Sequence, residues 1–82
     1  MISITLKLFA VYQDAFGCPE MMMTLPEGTT VMGLCDRIYT QYPDLKRWKD
    51  LTRFGINLQF VEADTRLNDG DEVVLIPPVS GG

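Results

Sequence analysis

The sequence predicts a small α+β domain in which one amphipathic helix covers a mixed sheet of four or five strands. The first observation is an N-terminal segment that alternates apolar and polar residues, as a strand with one buried face does. The second is a central stretch with apolar residues at helical spacing, and the third is a β-branched, apolar run just before the C-terminal prolines. A chain of 82 residues has room for one domain.

The first strand starts at residue 2, and Phe9 is its unusual member. The apolar positions recur at every second residue and are Ile2, Ile4, Leu6, Leu8 and Ala10. Phe9 falls on the opposite, more polar face, where it is a candidate partner-binding residue or an edge-packing one. We expect a short helical turn over residues 11–16, closed by Gly17, and a second strand over residues 20–25.

The main helix lies between Gly28 and Pro43, with Thr29 or Thr30 as its N-cap. Its apolar stripe consists of Val31, Leu34, Cys35, Ile38 and Tyr42. Residues 44–52 are expected to form an irregular or short helical connection. Its anchors would be Leu45, Trp48 and Leu51.

Two further strands complete the sheet. Ile56, Leu58 and Phe60 alternate with polar or smaller neighbours and predict one strand. A turn at residues 68–71 leads into a last strand over residues 72–76, which the run of apolar residues predicts to be buried on both faces. This element order fits a ubiquitin-like β-grasp fold, with the first and last strands parallel at the centre of the sheet. We therefore expect a β-grasp domain over residues 1–76 and an extended, flexible tail over residues 77–82.

Composition excludes several function classes. The net charge of −4 argues against nucleic acid, and the chain has no histidine to act as general base or metal ligand. Cys18, expected as an exposed loop thiol, and the core residue Cys35 have no metal-type spacing, so no metal site is predicted. The N-terminus resembles no signal peptide and no apolar run reaches the ~20 residues of a membrane span, so we expect no membrane partner and a cytoplasmic location.

Charge is unevenly distributed along the chain. Residues 46–53 carry four basic side chains and one acidic one, whereas residues 62–82 carry five acidic side chains and one basic one. The acidic C-terminal quarter is either a solvated turn or a docking surface for a basic partner. In the second case it would lie beside the C-terminal end.

The residues that could take part in a chemical reaction are at the C-terminus. Six extended residues reach roughly 20 Å, and the two glycines, Gly81 and Gly82, allow the backbone to enter a narrow channel. The stiff prolines reduce the entropy lost on docking. This geometry suits delivery of the Gly82 carboxylate into another enzyme's active site. There, adenylation would activate the carboxylate, and the carrier itself would need no catalytic side chain.

The C-terminal residues resemble those of molybdopterin synthase small subunits (MoaD). The similar segments are Leu8-Phe9-Ala10, Ile56-Asn57, Asp69-Gly70-Asp71-Glu72-Val73 and Pro77-Pro78-Val79-Ser80-Gly81-Gly82. One departure is Leu75-Ile76, where relatives often have an aromatic residue before the prolines.

The resemblance implies a non-catalytic, sulfur-donating subunit that binds no cofactor itself. An E1-like enzyme would use ATP and Mg to adenylate Gly82, and a sulfurtransferase would convert it to a thiocarboxylate. The large synthase subunit, in a heterotetramer, would then use the sulfur to build molybdopterin from cyclic pyranopterin monophosphate, and would supply the catalytic side chains. The candidate tail and partner-binding residues are Gly81, Ser80, Val79, Pro78, Pro77, Ile76, Leu75 and Phe9, although Leu75 and Ile76 could equally belong to the sheet core.

Three alternatives stay open at this point. The chain could be a ThiS-type carrier for thiamin thiazole synthesis, or a ubiquitin-related modifier that is joined to lysines. It could also be a β-grasp interaction module that carries nothing. An end at Gly82 would need no protease to expose the carboxylate, which favours carriers over modifiers that are made as precursors.

Overall fold

The computed structural model describes residues 1–78, which form five strands, two helices and one 3₁₀ segment. The elements in chain order are β1 (Ile2–Leu8), α1 (Val11–Phe16), β2 (Glu20–Leu25), α2 (Val31–Gln41), a 3₁₀ segment (Pro43–Leu51), β3 (Arg53–Ile56), β4 (Gln59–Val61) and β5 (Glu72–Ile76). Neither helix within these residues has the length and apolarity that a bilayer crossing requires.

The five strands form one sheet in the order β2-β1-β5-β3-β4. β1 and β5 are parallel, and every other neighbouring pair is antiparallel. The predicted parallel pairing of the first and last strands, and with it the ubiquitin-like β-grasp fold, is confirmed. Because β5 is the middle strand, the chain leaves it at Ile76 from the centre of the sheet rather than from an edge.

Helix α2 covers one face of the sheet, which we call the inner face. Its side chains Val31, Leu34, Cys35 and Ile38 are buried as the spacing predicts, and Tyr39 joins them. Thr30 is the N-cap, since its hydroxyl accepts a hydrogen bond from the Gly33 backbone N–H at 3.2 Å. The strand residues that α2 covers include Ile4, Leu6, Leu8, Val73 and Leu75.

Three buried hydroxyl groups connect α1, α2 and the 3₁₀ segment. The Tyr12 hydroxyl lies 2.8 Å from the Tyr39 hydroxyl and 2.7 Å from that of Thr52. The Thr52 hydroxyl also donates to the Trp48 carbonyl at 2.8 Å. Burial and the hydrogen bond with Tyr12 raise the pKa of Tyr39 far above its ordinary value, so the Tyr39 hydroxyl stays neutral. This network holds the 3₁₀ segment, and therefore Trp48, in a defined position.

The single strand predicted around Ile56 and Phe60 is wrong, because the segment is a hairpin. Asn57 and Leu58 both adopt positive φ angles, 49° and 73°, as the two central residues of a tight hairpin turn do. The Asn57 side chain stabilises this turn: its amide donates to the Asp71 carboxylate at 3.1 Å, and its carbonyl oxygen accepts from Glu72 N–H at 3.0 Å. Reversal at this turn places Ile56 on the inner face and Phe60 on the outer one.

Four smaller expectations also differ from the structure. β5 is fully buried on one face only, since Val73 and Leu75 lie under α2 while alternate residues are half-buried on the outer, helix-free face. Ala10 is exposed because the chain leaves the sheet after Leu8, and Leu51 is exposed at the end of the 3₁₀ segment. Cys18 is half-buried, because it packs against the core.

Candidate functional site

The outer face of the sheet carries an exposed apolar surface, which we call the hairpin patch. Leu58 is 91% exposed and Phe60 73% exposed, and both stand on the β3–β4 hairpin. Between them and Phe9, which is 48% exposed, lies a depression of about 260 Å³. It is lined by Phe9, Gly55, Leu58, Gln59, Phe60, Val74 and Ile76. Large apolar side chains clustered at the surface of a small domain mark a protein-binding site.

Gly55 makes this depression possible. It is the cross-strand partner of both Phe60 and Val74, so its side-chain position faces the floor of the hairpin patch. A Cβ atom there would meet only ordinary contacts, at 3.4 Å from the Gln59 carbonyl and 3.8 Å from Val74. The patch is therefore concave because one residue of its floor has no side chain.

A second apolar depression, the tail groove, surrounds the start of the tail. Its volume is about 400 Å³, and its walls are Phe9, Ala10, Val11, Trp48, Ile76, Pro77 and Pro78. Pro77 is buried and Pro78 half-buried, so the packed part of the chain continues beyond β5. Phe9 and Ile76 belong to both depressions, which makes the hairpin patch and the tail groove one continuous surface.

Ala10 adopts a backbone conformation that costs energy at the edge of the tail groove. Its φ of 49° and ψ of −121° are unusual for a residue with a Cβ atom and cost of order 1–3 kcal/mol. The adjacent Phe9 carbonyl accepts the Tyr12 N–H of α1 at 3.0 Å. The sharp turn at Ala10 thus leaves Phe9 at the surface, between the end of β1 and the start of α1.

The charges around this surface differ from the sequence expectation. The acidic turn lies at the opposite end of β5 from the tail, because the Ser3 N–H at the start of β1 donates to the Asp69 carboxylate at 2.7 Å. Beside the tail, the cross-strand partner of Ile76 is the basic residue Arg53. The expectation that the acidic turn lies beside the tail is therefore wrong for the part of the tail that the structure describes, Pro77 and Pro78, since β5 alone spans roughly 13 Å from Glu72 to Ile76.

Asp71 has a structural role in the acidic turn. Its carboxylate is buried and accepts hydrogen bonds from the Asn68 N–H, at 2.8 Å, and from the Asn57 amide. Gly70 has the positive φ, 85°, that such a turn needs. Nearby, Lys7 on the outer face lies 3.7 Å from Glu20 and 4.0 Å from Glu72.

The cysteines do not contribute to this surface. Burial in the core raises the pKa of Cys35 to about 12, so its thiol stays protonated and unreactive at neutral pH. Cys18 lies between α1 and β2 and lines neither depression. No cluster of metal-binding side chains occurs within residues 1–78.

Comparison with known proteins identifies the family of this chain. A model of the ThiS family matches residues 6–82. The chain belongs to the ThiS/MoaD family. The molybdopterin synthase sulfur carrier subunit of Mycobacterium tuberculosis is 31% identical over the full length of both chains. Such relatives support a MoaD-type sulfur carrier.

Solved structures share the fold of this ThiS/MoaD family member. Small archaeal modifier protein 1 of Haloferax volcanii is similar, with 27% identity, a TM-score of 0.80, and 98% of this chain and 99% of that one covered. In a complex of subunits 1 and 2 of the molybdopterin-converting factor from Helicobacter pylori, a chain with 22% identity has the same fold, with a TM-score of 0.66 and coverage of 99% and 100%.

The structure places the sequence-predicted residues of this family member in different surroundings. Phe9, Ile76, Pro77 and Pro78 come together in the tail groove. Leu75 is completely buried and belongs to the sheet core, the second of the two roles that the sequence leaves open for it. The predicted residues Val79, Ser80, Gly81 and Gly82 lie outside the described residues, and the division at residue 77 stays a prediction.

Sequence reasoning missed most of the hairpin patch. The apolar alternation predicts Leu58 and Phe60 on one face of a strand, and no sequence pattern points to Gly55. Trp48, a wall of the tail groove, is predicted only as an anchor of its segment. Asn57 was the available signal, because asparagine favours the positive φ of a tight hairpin turn.

Filling the floor of the hairpin patch should weaken partner binding while leaving the stability of the fold nearly unchanged. We expect Gly55→Val to weaken partner binding about tenfold, because a β-branched side chain would occupy the depression between Phe60 and Val74. Stability should change by less than ~1 kcal/mol, since valine favours strands and the backbone at Gly55 is unstrained. Titration of the variant against its partner and urea unfolding measure the two effects. Unchanged affinity would show that partners do not enter the depression.

Proposed function

We propose that this chain is the sulfur carrier and small subunit of a molybdopterin synthase. Gly82 would be adenylated by an E1-like enzyme, converted to a thiocarboxylate, and used to donate sulfur to cyclic pyranopterin monophosphate. The large subunit of the synthase, in a heterotetramer with two copies of this chain, would hold the substrate. The cycle would run in the cytoplasm, where the two unpaired cysteines, Cys18 and Cys35, stay reduced.

The observation that carries this proposal is the continuous apolar surface around the start of the tail. Ile76 ends the central strand and lines both the hairpin patch and the tail groove. A partner that covers this surface therefore sits over the point from which the last residues extend. Docking and delivery of the C-terminus would be one event, which is what a carrier without catalytic side chains requires.

The chemistry divides between the carrier and its partners. The Gly82 carboxylate would attack the α-phosphorus of ATP, forming a mixed anhydride with AMP and releasing pyrophosphate. A persulfide on the sulfurtransferase would then add at the carbonyl and expel AMP. A second thiol would attack the donor sulfur of the resulting acyl disulfide, leaving the thiocarboxylate on this chain and a disulfide on the donor. ATP and Mg belong to the activating enzyme, so this chain contributes the docking surface, the reach of its tail and the carboxylate.

Intact-mass spectrometry tests the proposal directly. The chain would be incubated with ATP, Mg, the E1-like enzyme and the sulfurtransferase system of the same genome. We expect the mass to rise by the difference between sulfur and oxygen, and we expect no rise when Gly82 is deleted or ATP is omitted. Transfer is then tested by adding the large subunit and the pterin precursor and looking for the dithiolene product. If the mass stays unchanged although the E1-like enzyme is shown to be active, the proposal is refuted.

A ubiquitin-related modifier is the second candidate. The observation that favours it is the similarity to small archaeal modifier protein 1 over nearly the whole chain. A modifier would form isopeptide bonds to lysines, so the same incubation with cell extract would give covalent adducts at higher mass. A ThiS-type carrier would instead gain sulfur but fail to give the dithiolene product with the large subunit.

A further inference from the structure

A group of four cations on and just after the 3₁₀ segment has no role in the function proposed above. It consists of Lys46, Arg47, Lys49 and Arg53, and we call it the basic surface. Within residues 1–78 none of the four forms an ion pair, whereas Lys7 on the outer face contacts two carboxylates. Unneutralised cations are notable here because the whole chain has a net charge of −4.

The 3₁₀ segment carries three of these cations, Lys46, Arg47 and Lys49, and Arg53 begins β3. Residues three apart lie one above the other in a 3₁₀ helix, so Lys46 and Lys49 share a face and line one cleft. Two like charges side by side are unfavourable in the isolated chain. The hydroxyl network that holds Trp48 and Thr52 keeps the segment in this conformation.

Two members of the basic surface, Arg47 and Arg53, adjoin residues of the tail groove. The Arg47 guanidinium lies over the Trp48 ring, 5.7 Å from its centre, and Trp48 forms one wall of the groove. On the other side, Arg53 is the cross-strand partner of Ile76. Aromatic and arginine side chains at an apolar centre, with charges at the rim, are the usual composition of a protein–protein interface.

The charges around the cluster select the class of ligand. Asp36 lines the same cleft as Lys46 and Lys49, and Asp44 and Asp50 are exposed on the same segment, so a small anion would meet carboxylates as well as cations. The overall negative charge would repel a nucleic acid. A folded protein holds its carboxylates at fixed positions, so an acidic rim can contact the cations without contacting the neighbouring carboxylates of this chain.

We propose that the basic surface docks against an acidic rim around the opening into which a partner protein admits the tail. This inference rests on the proposed function, because it concerns the same partners. The cations steer the carrier toward the opening and raise the association rate, while the apolar surface supplies the affinity. A carrier that must visit an activating enzyme and then a large subunit gains from fast association with each.

Charge reversal tests this inference against a matched control. Arg47→Glu combined with Arg53→Glu, the two cations beside the tail groove, changes the net charge as much as Arg37→Glu combined with Arg66→Glu, whose exposed residues line neither depression. The readout is adenylation kinetics with the E1-like enzyme, together with the association rate for the large subunit. We expect the first variant to raise KM for the carrier about tenfold at low salt, with kcat unchanged, and the difference to shrink at high salt. The control variant should show a much smaller rise.

The outcomes separate the two proposals. If the wild-type chain is adenylated and both variants behave alike with both partners, the basic surface is not a docking surface although the proposed function stands. If the wild-type chain is not adenylated, the proposed function fails first. A rise in KM for ATP instead of the carrier would assign the cations to the nucleotide. Self-association lost only in the Arg47/Arg53 variant, with unchanged KM, would assign the cations to a second copy of this chain. Either result would overturn the inference.

Discussion

Replacing Phe60 with aspartate is expected to weaken binding of the chain to its activating enzyme by roughly 100-fold, about 2.7 kcal/mol. Phe60 is exposed in the isolated chain and forms the rim of the hairpin patch, where it is the cross-strand partner of Gly55. A partner that covers the patch would bury this ring, and a carboxylate in its place would lose its water without gaining an ion pair. The loss would appear as a higher KM for adenylation and as weaker binding to the large subunit.

Met22→Asp is the matched control for this variant. Met22 is also apolar, 67% exposed and on the outer face, but it lies on β2 at the far side of the sheet from the hairpin. Neither substitution should change the free energy of unfolding by more than ~0.5 kcal/mol beyond the general effect of one added charge, because both sites are exposed. Equal binding by the two variants would show that exposure of Phe60 does not reflect a docking site.

Periodicity predicted the parts of the fold in which one pattern dominates. β1 and α2 each bury a single continuous stripe, so the apolar spacing of Ile4 and Leu6, or of Leu34 and Ile38, reports directly on burial. The parallel pairing of β1 and β5 followed from the β-grasp fold that the element order fits, and the apolar character of both strands is consistent with it. These elements form the core, where burial and sequence pattern have the same cause.

The candidate site could not be predicted in the same way, because its residues break those patterns. Leu58 and Phe60 are apolar but exposed, so a rule that places apolar residues inside assigns them wrongly. The predicted position of the acidic residues was wrong for a related reason. Asp69 is near the C-terminus in sequence but lies at the end of β5 away from Pro77. Only the strand register shows that Arg53, and not an acidic residue, is beside Ile76.

The adjacent residues Leu75 and Ile76 provide the largest expected difference in stability. Leu75→Ala should lower the free energy of unfolding by about 2–5 kcal/mol, because the side chain is fully buried under α2 and its removal leaves a cavity. A domain of this size has of order 5–15 kcal/mol in total, so this one change would remove a large fraction of it. Ile76→Ala should cost about 1 kcal/mol, since that side chain is only half-buried on the outer face.

Once the unfolded fraction is taken into account, only Ile76→Ala should weaken partner binding. Folded Leu75→Ala would keep the outer surface and bind normally, whereas Ile76→Ala would remove a wall shared by the hairpin patch and the tail groove. Urea unfolding followed by the fluorescence of Trp48, the one tryptophan of the chain, measures stability, and titration against the large subunit measures affinity. If Leu75→Ala reduced affinity while folded and Ile76→Ala did not, the partner would act through the inner face. That result would contradict a docking surface on the helix-free side of the sheet, because α2 covers Leu75 and leaves Ile76 within reach of a partner.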